Sequence, residues 1–98
     1  MEDKIFVRQD FRLTLTGGKD IGTAGTAIIT YIREGDEGNE KSVAAIVQTP
    51  TTAVCYKDFT VTDITTAGNY RFWLDLTFSD GKTRPGQYYR RTIYARGT

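Results

Sequence analysis

Few residues in this chain are of types that commonly carry out chemistry. Its 98 residues include no histidine, so the commonest general base and metal ligand of proteins is missing. The single cysteine, Cys55, lies between Val54 and Tyr56, an apolar setting typical of a buried thiol that acts as a small hydrophobe. A reactive thiol would need a basic partner, and only Lys57 is near in sequence. We predict a protein that is not an enzyme and binds no cofactor.

Acidic residues are concentrated in one short segment, residues 34–40, with the sequence Glu-Gly-Asp-Glu-Gly-Asn-Glu. The composition is compatible with a calcium loop, but the spacing does not match the twelve-residue pattern of such loops. We therefore interpret residues 34–40 as a solvent-exposed turn between two strands, and we predict no metal site.

The bulk charge limits the classes of partner. Thirteen Lys and Arg residues oppose twelve Asp and Glu residues, which leaves a net charge of +1. So small a charge favours neither nucleic acid nor an anionic membrane. No apolar run approaches the roughly 20 residues of a membrane-spanning helix, and the acidic start of the chain is unlike a signal peptide. We expect no nucleic-acid partner and no membrane partner.

A regular alternation of apolar and polar residues covers positions 70–78. Apolar residues take every second position, namely Tyr70, Phe72, Leu74, Leu76 and Phe78, whereas Arg71, Trp73, Asp75 and Thr77 take the others. A period of two predicts a strand with one face in a core. The entry through Ala67-Gly68 into Tyr70 resembles the tyrosine corner of immunoglobulin-like domains, in which a tyrosine hydroxyl is tied to upstream backbone. We interpret Tyr70 and Phe72 as determinants of the fold.

The remaining sequence also indicates strands separated by turns. Strand-like segments cover residues 4–16, 26–33, 41–48, 52–61 and 87–95, and Asp80-Gly81 is typical of a tight hairpin turn. Both faces of residues 26–33 are apolar, as in a central strand or one covered on both sides. We predict a single all-β domain over residues 1–98, an immunoglobulin-like β-sandwich of about seven antiparallel strands.

Three segments together resemble a known family. They are residues 10–16 (DFRLTLT), residues 21–33 with the acidic turn after them, and residues 64–82, which contain the pattern AGNYRF followed by TFSDGK. In this order they resemble the immunoglobulin-like domain at the N-terminus of bacteriophage baseplate upper proteins, and small virion proteins related to it. The resemblance covers most of residues 5–82. One departure is Thr66, which stands four residues before the tyrosine where antibody-type domains have Asp.

The resemblance implies a structural protein of a bacteriophage virion, with the tail or baseplate favoured. It implies contacts with other virion proteins and with copies of the same chain, after assembly in the host bacterial cytoplasm. Most such domains begin longer chains, whereas this chain ends at Thr98, soon after the predicted sandwich. We therefore expect a stand-alone subunit that finds its place through its own surface. The alternatives are a capsid decoration or head–tail joining subunit, a module that binds a carbohydrate or the host surface, and a regulatory protein of host or phage that shares only the sandwich fold.

Aromatic and basic residues are the candidates for partner contacts. Trp73 lies on the face of its strand opposite the predicted core residues. Three interpretations are open: a neighbouring subunit covers it, another layer of its own chain covers it, or a local bulge turns it inward. A basic and aromatic cluster lies at the last strand, in residues Arg84, Tyr88, Tyr89, Arg90 and Arg91. It is interpreted as a protein interface, an edge protected by charge, a binder of single-stranded nucleic acid or a sugar platform.

Residues 1–9 form a further candidate, a possible N-terminal arm. Ile5 and Phe6 are apolar and precede the first regular alternation. Such an arm either adds a strand to the edge of a neighbouring copy or pairs within its own domain.

Overall fold

The computed structural model describes residues 4–97, and this part of the chain contains β-strands and no helix. The seven strands are β1 (Ile5–Phe6), β2 (Phe11–Thr16), β3 (Thr26–Arg33), β4 (Lys41–Thr49), β5 (Val54–Phe59), β6 (Gly68–Thr77) and β7 (Thr83–Tyr94). The prediction of an all-β chain is therefore confirmed. The segment predicted over residues 4–16 is divided into β1 and β2, and the last strand begins earlier than predicted, at Thr83.

The strands form one continuous mixed sheet, in the order β1-β7-β6-β3-β4-β5-β2, that nearly closes into a barrel. This arrangement differs in two ways from the predicted sandwich, which would consist of two separate antiparallel sheets. Strand β1 runs parallel to β7, with Ile5 opposite Ile93. Strand β4 pairs with β3 through its first half and with β5 through its second half, and the β4–β5 register shifts between Val47 and Thr49. Because such irregularities bend a strand, β4 continues the sheet around the core.

Strand β6 supplies the centre of the core with the predicted face. Tyr70, Phe72 and Leu74 are 6%, 1% and 0% exposed, while Arg71 and Trp73 on the other face remain half-buried. The ring of Phe72 lies 5.7 Å from that of Tyr31 in β3 and 6.0 Å from that of Phe59 in β5, measured between centroids. Strand β3 lies between β6 and β4, which confirms its predicted central position.

A side-chain hydrogen bond ties the start of β6 to the preceding turn. The Tyr70 hydroxyl donates to the carbonyl oxygen of Thr66 at 2.6 Å. Gly68, two residues before Tyr70, has a φ of +152°, and a Cβ there would lie 2.9 Å from Cδ of Arg33. The turn therefore needs a glycine at this position, and the predicted tie from Tyr70 to upstream backbone is present.

The N-terminal residues that the structure describes pair within their own chain. Ile5 and Phe6 lie beside the end of β7, and the Val7 amide donates to the Tyr94 carbonyl at 2.9 Å. The guanidinium of Arg96 donates to the Val7 carbonyl at 2.9 Å. For residues 4–9 the second interpretation, a first strand within its own domain, is the one observed. Residues 1–3 of the possible arm lie outside the described residues.

Cys55 is part of the core, as its apolar neighbours predicted. Its side chain is 0% exposed, and its thiol donates to the carbonyl of Ala53 at 3.4 Å. Burial raises the pKa of the Cys55 thiol, because the thiolate loses its hydration there. The neutral thiol is the less nucleophilic form, which favours a packing role.

Candidate interaction surface on the outer face of the sheet

Trp73 lies at the middle of a solvent-facing surface formed by β7, β6, β3 and β4. It stands opposite Tyr88 of β7 on one side and Thr30 of β3 on the other. Because side chains alternate along a strand, these residues all project from the face opposite Phe72 and Leu74. Tyr88 is 58% exposed and Trp73 is half-buried. The structure thus places two of the predicted contact residues side by side.

The same face carries two exposed aliphatic side chains. Ile28 of β3 is 44% exposed and Ile46 of β4 is 56% exposed. Ile28 stands opposite Ala44 of β4. Ile46 lies two positions after Ala44 and therefore projects from the same face. We call Ile28, Ile46, Trp73 and Tyr88 the outer apolar patch. Asp75 of β6 stands opposite Ile28 on the same face, so the patch also contains one acidic side chain. Apolar residues grouped on one exposed sheet face are candidates for contact with another molecule.

Thr30 lies in the middle of the patch and is 4% exposed although it faces outward. It stands between Trp73 of β6 and Ser42 of β4, and its hydroxyl lies 3.0 Å from that of Ser42. Its polar atom is therefore satisfied within the chain, and it does not interrupt the patch with an unpaired group.

A bulge between β6 and β7 divides the predicted basic and aromatic cluster. The register shifts between Trp73 and Asp75, so Arg84 stands opposite the core residue Leu76, and its guanidinium lies 5.6 Å from the centroid of the Phe78 ring. Tyr89 faces inward, 6.3 Å from the ring of Phe72. The structure therefore does not bring these residues together on one surface. Because the bulge begins only after Trp73, the pairing of Trp73 with Tyr88 is regular and the Trp73 side chain faces outward.

Arg91 also leaves the predicted cluster. It alternates with the outward-facing Arg90, and one of its guanidinium nitrogens donates to the hydroxyl of Tyr89 at 3.0 Å. Of the five residues, Tyr88 and Arg90 share the outer face with Trp73.

Two ion pairs form a charged border at one end of the outer apolar patch. The guanidinium of Arg90 donates to both carboxylate oxygens of Glu34, and that of Arg71 donates to both oxygens of Glu37 at 3.1 and 2.9 Å. Arg90 and Arg71 stand opposite each other in the β6–β7 pairing. The hydrogen bond from Arg90 lowers the pKa of Glu34, and the same bond raises the pKa of Arg90. Each guanidinium of the border thus has its own carboxylate.

The acidic turn supplies these carboxylates, which gives residues 34–40 a role beyond solubility. Glu34 and Glu37 reach back over the outer face, and Asp36 accepts a hydrogen bond from the Asn39 amide at 2.6 Å. Within residues 4–97, no group of three or more His, Cys, Asp or Glu side chains is placed to hold a metal ion.

A polar cleft lies at the end of the sheet where the Tyr70 hydroxyl donates to the Thr66 carbonyl. It has a volume of about 200 Å³, and the residues around it include Tyr31, Arg33, Lys41, Asp63 and Tyr70. Burial raises the pKa values of Tyr31 and Tyr70. Pockets for drug-sized ligands usually have volumes of about 300–1,000 Å³. The cleft is smaller than this range, which disfavours it as a site for such a ligand.

Comparison of the chain with protein-family models, with curated proteins and with solved structures found no match. In the part of the chain that the structure describes, no helix is long and apolar enough to cross a membrane.

Sequence reasoning missed two members of the patch, Ile28 and Ile46. The apolar residues on both faces of β3 were interpreted as a central strand or one covered on both sides, and this did not identify Ile28, which is 44% exposed, as a surface residue. The signal for Ile46 was present, because it alternates with Val43, Ala45 and Val47, which form the inward face of β4. The alternation therefore indicated an outward-facing apolar side chain at position 46.

Proposed function

We propose that this protein is a non-enzymatic structural subunit of a bacteriophage virion that assembles through its outer apolar patch. The observation that carries the contact role is the pairing of Trp73 with the 58% exposed Tyr88 on one open sheet face. Aromatic residues are enriched in protein interfaces, where burying them supplies much of the binding energy. Arg90, held by Glu34, lies at the border of the patch, where polar residues commonly surround an apolar centre.

The viral part of the proposal rests on the residues that resemble baseplate upper proteins, above all residues 64–82. The tie from Tyr70 to Thr66 supports this resemblance, because it is the feature for which the tyrosine corner is named. Within the virion we favour the tail or baseplate, where the subunit would contact other virion proteins and copies of itself. A capsid decoration or head–tail joining subunit would use the same surface.

We further propose an immunoglobulin-like arrangement for the sheet. Its pairings support this: β2 pairs with β5, β3 pairs with β6 and β6 with β7, as strands B and E, C and F, and F and G do in that fold. On this interpretation β4 connects the two layers, and this explains why the pairing continues without a break from β3 to β5.

Mass spectrometry of purified phage particles tests the virion assignment. The chain is expected at a constant ratio to the known structural proteins through successive gradient purifications. Its absence from particles that carry a full set of tail and head proteins would refute the assignment.

A pair of charge substitutions tests the patch itself. Tyr88→Glu places a charge in the outer apolar patch, and Val61→Glu places one at a 49% exposed apolar residue on a turn outside it. We expect Tyr88→Glu to abolish incorporation into particles and Val61→Glu to leave it unchanged, with both purified proteins folded by circular dichroism. Equal incorporation of the two variants would contradict the role of the patch.

The adjacent aromatic residues favour a surface glycan as the second candidate. Trp73 and Tyr88 are opposite each other and both face solvent, and aromatic side chains combine a large apolar surface with a polar atom. A glycan array decides this: binding by the wild-type protein that is lost in Tyr88→Ala would support it, whereas an array without signal would exclude it for the glycans tested.

A further inference from the structure

The polar cleft occupies an open end of the nearly closed sheet, where inward-facing positions change from apolar to polar. Tyr31 of β3 stands opposite Lys41 of β4, and Arg33 of β3 stands opposite Tyr70 of β6. Side chains that are opposite each other in neighbouring strands share a face, and Tyr31 and Arg33 are two positions apart in one strand. All four side chains therefore project from the inner face of the sheet, and all four line the cleft. The mouths of β-barrels are common ligand sites.

Tyr31 contributes a hydroxyl that has no partner in the described part of the chain. The residue is 5% exposed, and its ring lies in the core, with 5.4 Å between its centroid and that of Phe59. Because the ring is enclosed, the hydroxyl is the part of Tyr31 that reaches the cleft. Tyr70 donates to the Thr66 carbonyl, whereas the Tyr31 hydroxyl makes no hydrogen bond with any residue from 4 to 97. It is therefore available to a molecule in the cleft.

Two cationic side chains of the cleft also have unused hydrogen-bond donors. Within residues 4–97, the ammonium group of Lys41 makes no ion pair and no hydrogen bond. The guanidinium of Arg33 has one carboxylate nearby, that of Asp36 at 3.8 Å, which is longer than a hydrogen bond. The cleft thus combines three groups that can donate to an acceptor: an ammonium, a guanidinium and the Tyr31 hydroxyl.

Two carboxylates balance the cations and are bound mainly by their own loops. One oxygen of Asp63 accepts from the amide of Thr60 at 2.6 Å, and one oxygen of Asp36 accepts from the side-chain amide of Asn39 at 2.6 Å. Both carboxylates line the cleft. They limit the negative charge that the cleft accepts, because a second charge on a ligand would be repelled. The other oxygen of Asp63 is left to accept a hydrogen bond from a ligand.

The volume of the cleft, about 200 Å³, sets the size of the ligand. A water molecule takes up about 30 Å³ in the liquid, so the cleft has room for about seven. A ligand with a comparable number of non-hydrogen atoms would fill it. The converging donors require a group that accepts hydrogen bonds and carries one negative charge, and the free oxygen of Asp63 requires a donor beside it.

We propose that the cleft binds a small hydroxycarboxylate, whose single carboxylate accepts from Tyr31, Lys41 and Arg33 and whose hydroxyl groups donate to Asp63. Hydrogen bonds between ionised partners are stronger than those between neutral ones, which favours a carboxylate over an uncharged polyol. Burial and then the nearby Asp63 carboxylate raise the pKa of Tyr31, so its hydroxyl keeps its proton at neutral pH and donates. This inference depends neither on the viral assignment nor on the outer apolar patch.

A titration of the full chain followed by nuclear magnetic resonance tests the proposal. The probe is D-glycerate, and its matched controls are propionate, which lacks the hydroxyls, and glycerol, which lacks the carboxylate. We expect saturable chemical-shift changes from glycerate in residues 31–33, 39–41 and 63–66. Glycerate should bind at least about tenfold more tightly than either control. Inorganic phosphate, which carries more negative charge at neutral pH, should bind more weakly than glycerate.

Two conservative variants identify the groups that bind. Tyr31→Phe removes the hydroxyl and keeps the ring, and Lys41→Gln removes the charge. Each should weaken glycerate binding by at least about fivefold, whereas Tyr94→Phe and Lys82→Gln, at positions outside the cleft, should not change it. Because the Tyr31 hydroxyl has no partner in the described part of the chain, Tyr31→Phe should leave the melting temperature of the free protein unchanged. A purely structural tyrosine would lower it.

Two outcomes would overturn the proposal. The first is the absence of saturable shifts with glycerate at millimolar concentration, which would mean that the cleft is only the hydrated end of the core. The second is an equal response to glycerate, propionate and phosphate that Tyr31→Phe leaves unchanged. That result would mean that anions collect near Lys41 without a built site.

Discussion

The Tyr70 hydroxyl donates a 2.6 Å hydrogen bond to the carbonyl oxygen of Thr66, four residues upstream. Tyr70 is 6% exposed, so its ring is fixed in the core beside Phe72, with 6.2 Å between the ring centroids, while its hydroxyl closes the turn into β6. The contact links the packing of the core to the position where β6 begins. It thereby also fixes which face of β6 carries Trp73.

Replacing Tyr70 by Phe is expected to destabilise the fold. The ring keeps its packing, but the Thr66 carbonyl loses its donor, which typically costs about 1–2 kcal/mol. Thermal unfolding measures this cost, and Tyr88→Phe is the matched control because Tyr88 is 58% exposed and opposite Trp73 on the outer face. Identical melting temperatures for Tyr70→Phe and the wild type would show that the bond contributes nothing to stability.

The ion pair between Arg90 and Glu34 is expected to govern the titration of Glu34. Because the hydrogen bond from Arg90 lowers the pKa of Glu34 below its ordinary 4.5, the carboxylate stabilises the fold above that value. This contribution is lost as the pH falls through the lowered pKa. In Arg90→Gln, a titration followed by nuclear magnetic resonance should move the pKa of Glu34 upward.

Asp58 supplies an internal control for that titration. The hydrogen bonds from Arg12 lower the pKa of Asp58 independently of Arg90. The Asp58 titration should therefore be the same in the wild type and in Arg90→Gln. A parallel shift of both carboxyls would indicate a general change of structure rather than loss of one ion pair.

Substitution of Gly22 by Ala is expected to loosen the contact between the loop before β3 and the turn after β6. Gly22 has a φ of +79°, and a Cβ there would lie 2.1 Å from Oγ of Ser79, which donates to the Ile21 carbonyl at 2.9 Å. Gly35→Ala is the control, since Gly35 has a φ of +92° with open space around it. Both variants are strained, but the clash should make Gly22→Ala less stable than Gly35→Ala by about 1–3 kcal/mol in urea unfolding. Equal losses would mean that Ser79 moves aside at no cost.

Cys55 is expected to react with thiol reagents only when the protein unfolds. Its side chain is 0% exposed and burial raises its pKa, so neither access nor ionisation favours reaction in the native state. Labelling followed by mass spectrometry should proceed at the global unfolding rate and become immediate in concentrated guanidinium chloride. Labelling that is much faster than unfolding would reveal local opening around β5.

Much of the fold is predictable from sequence because strand periodicity is a local signal. The alternation from Tyr70 to Phe78 gave the correct inward face of β6, and the apolar faces of residues 26–33 correctly indicated a central strand. The lone Cys55 between apolar neighbours was correctly predicted to be buried. In each case the pattern is set by neighbours within a few positions.

The candidate surface was less predictable because its members come from different strands. Trp73 and Tyr88 were identified separately, and their placement opposite each other depends on the β6–β7 register. The same register contains the bulge that moves Arg84 away from them. Pro85 and Gly86 lie at that bulge, but the last strand was predicted to begin only after them, at residue 87. Ile28 and Ile46 joined the patch only once β3 and β4 were aligned.

The sequence by itself determined that the chain is built of strands, where most of them lie and which of their side chains face the core, because alternation along one strand records burial directly. Only the tertiary structure decided that β4 carries the pairing from one half of the sheet to the other, that β1 lies parallel to β7, and that β2 does not pair with β7 to close the sheet. These features depend on which strands meet and in what register. They form through hydrogen bonds between segments that are distant in the sequence, and the alternation along a single strand does not specify its partner.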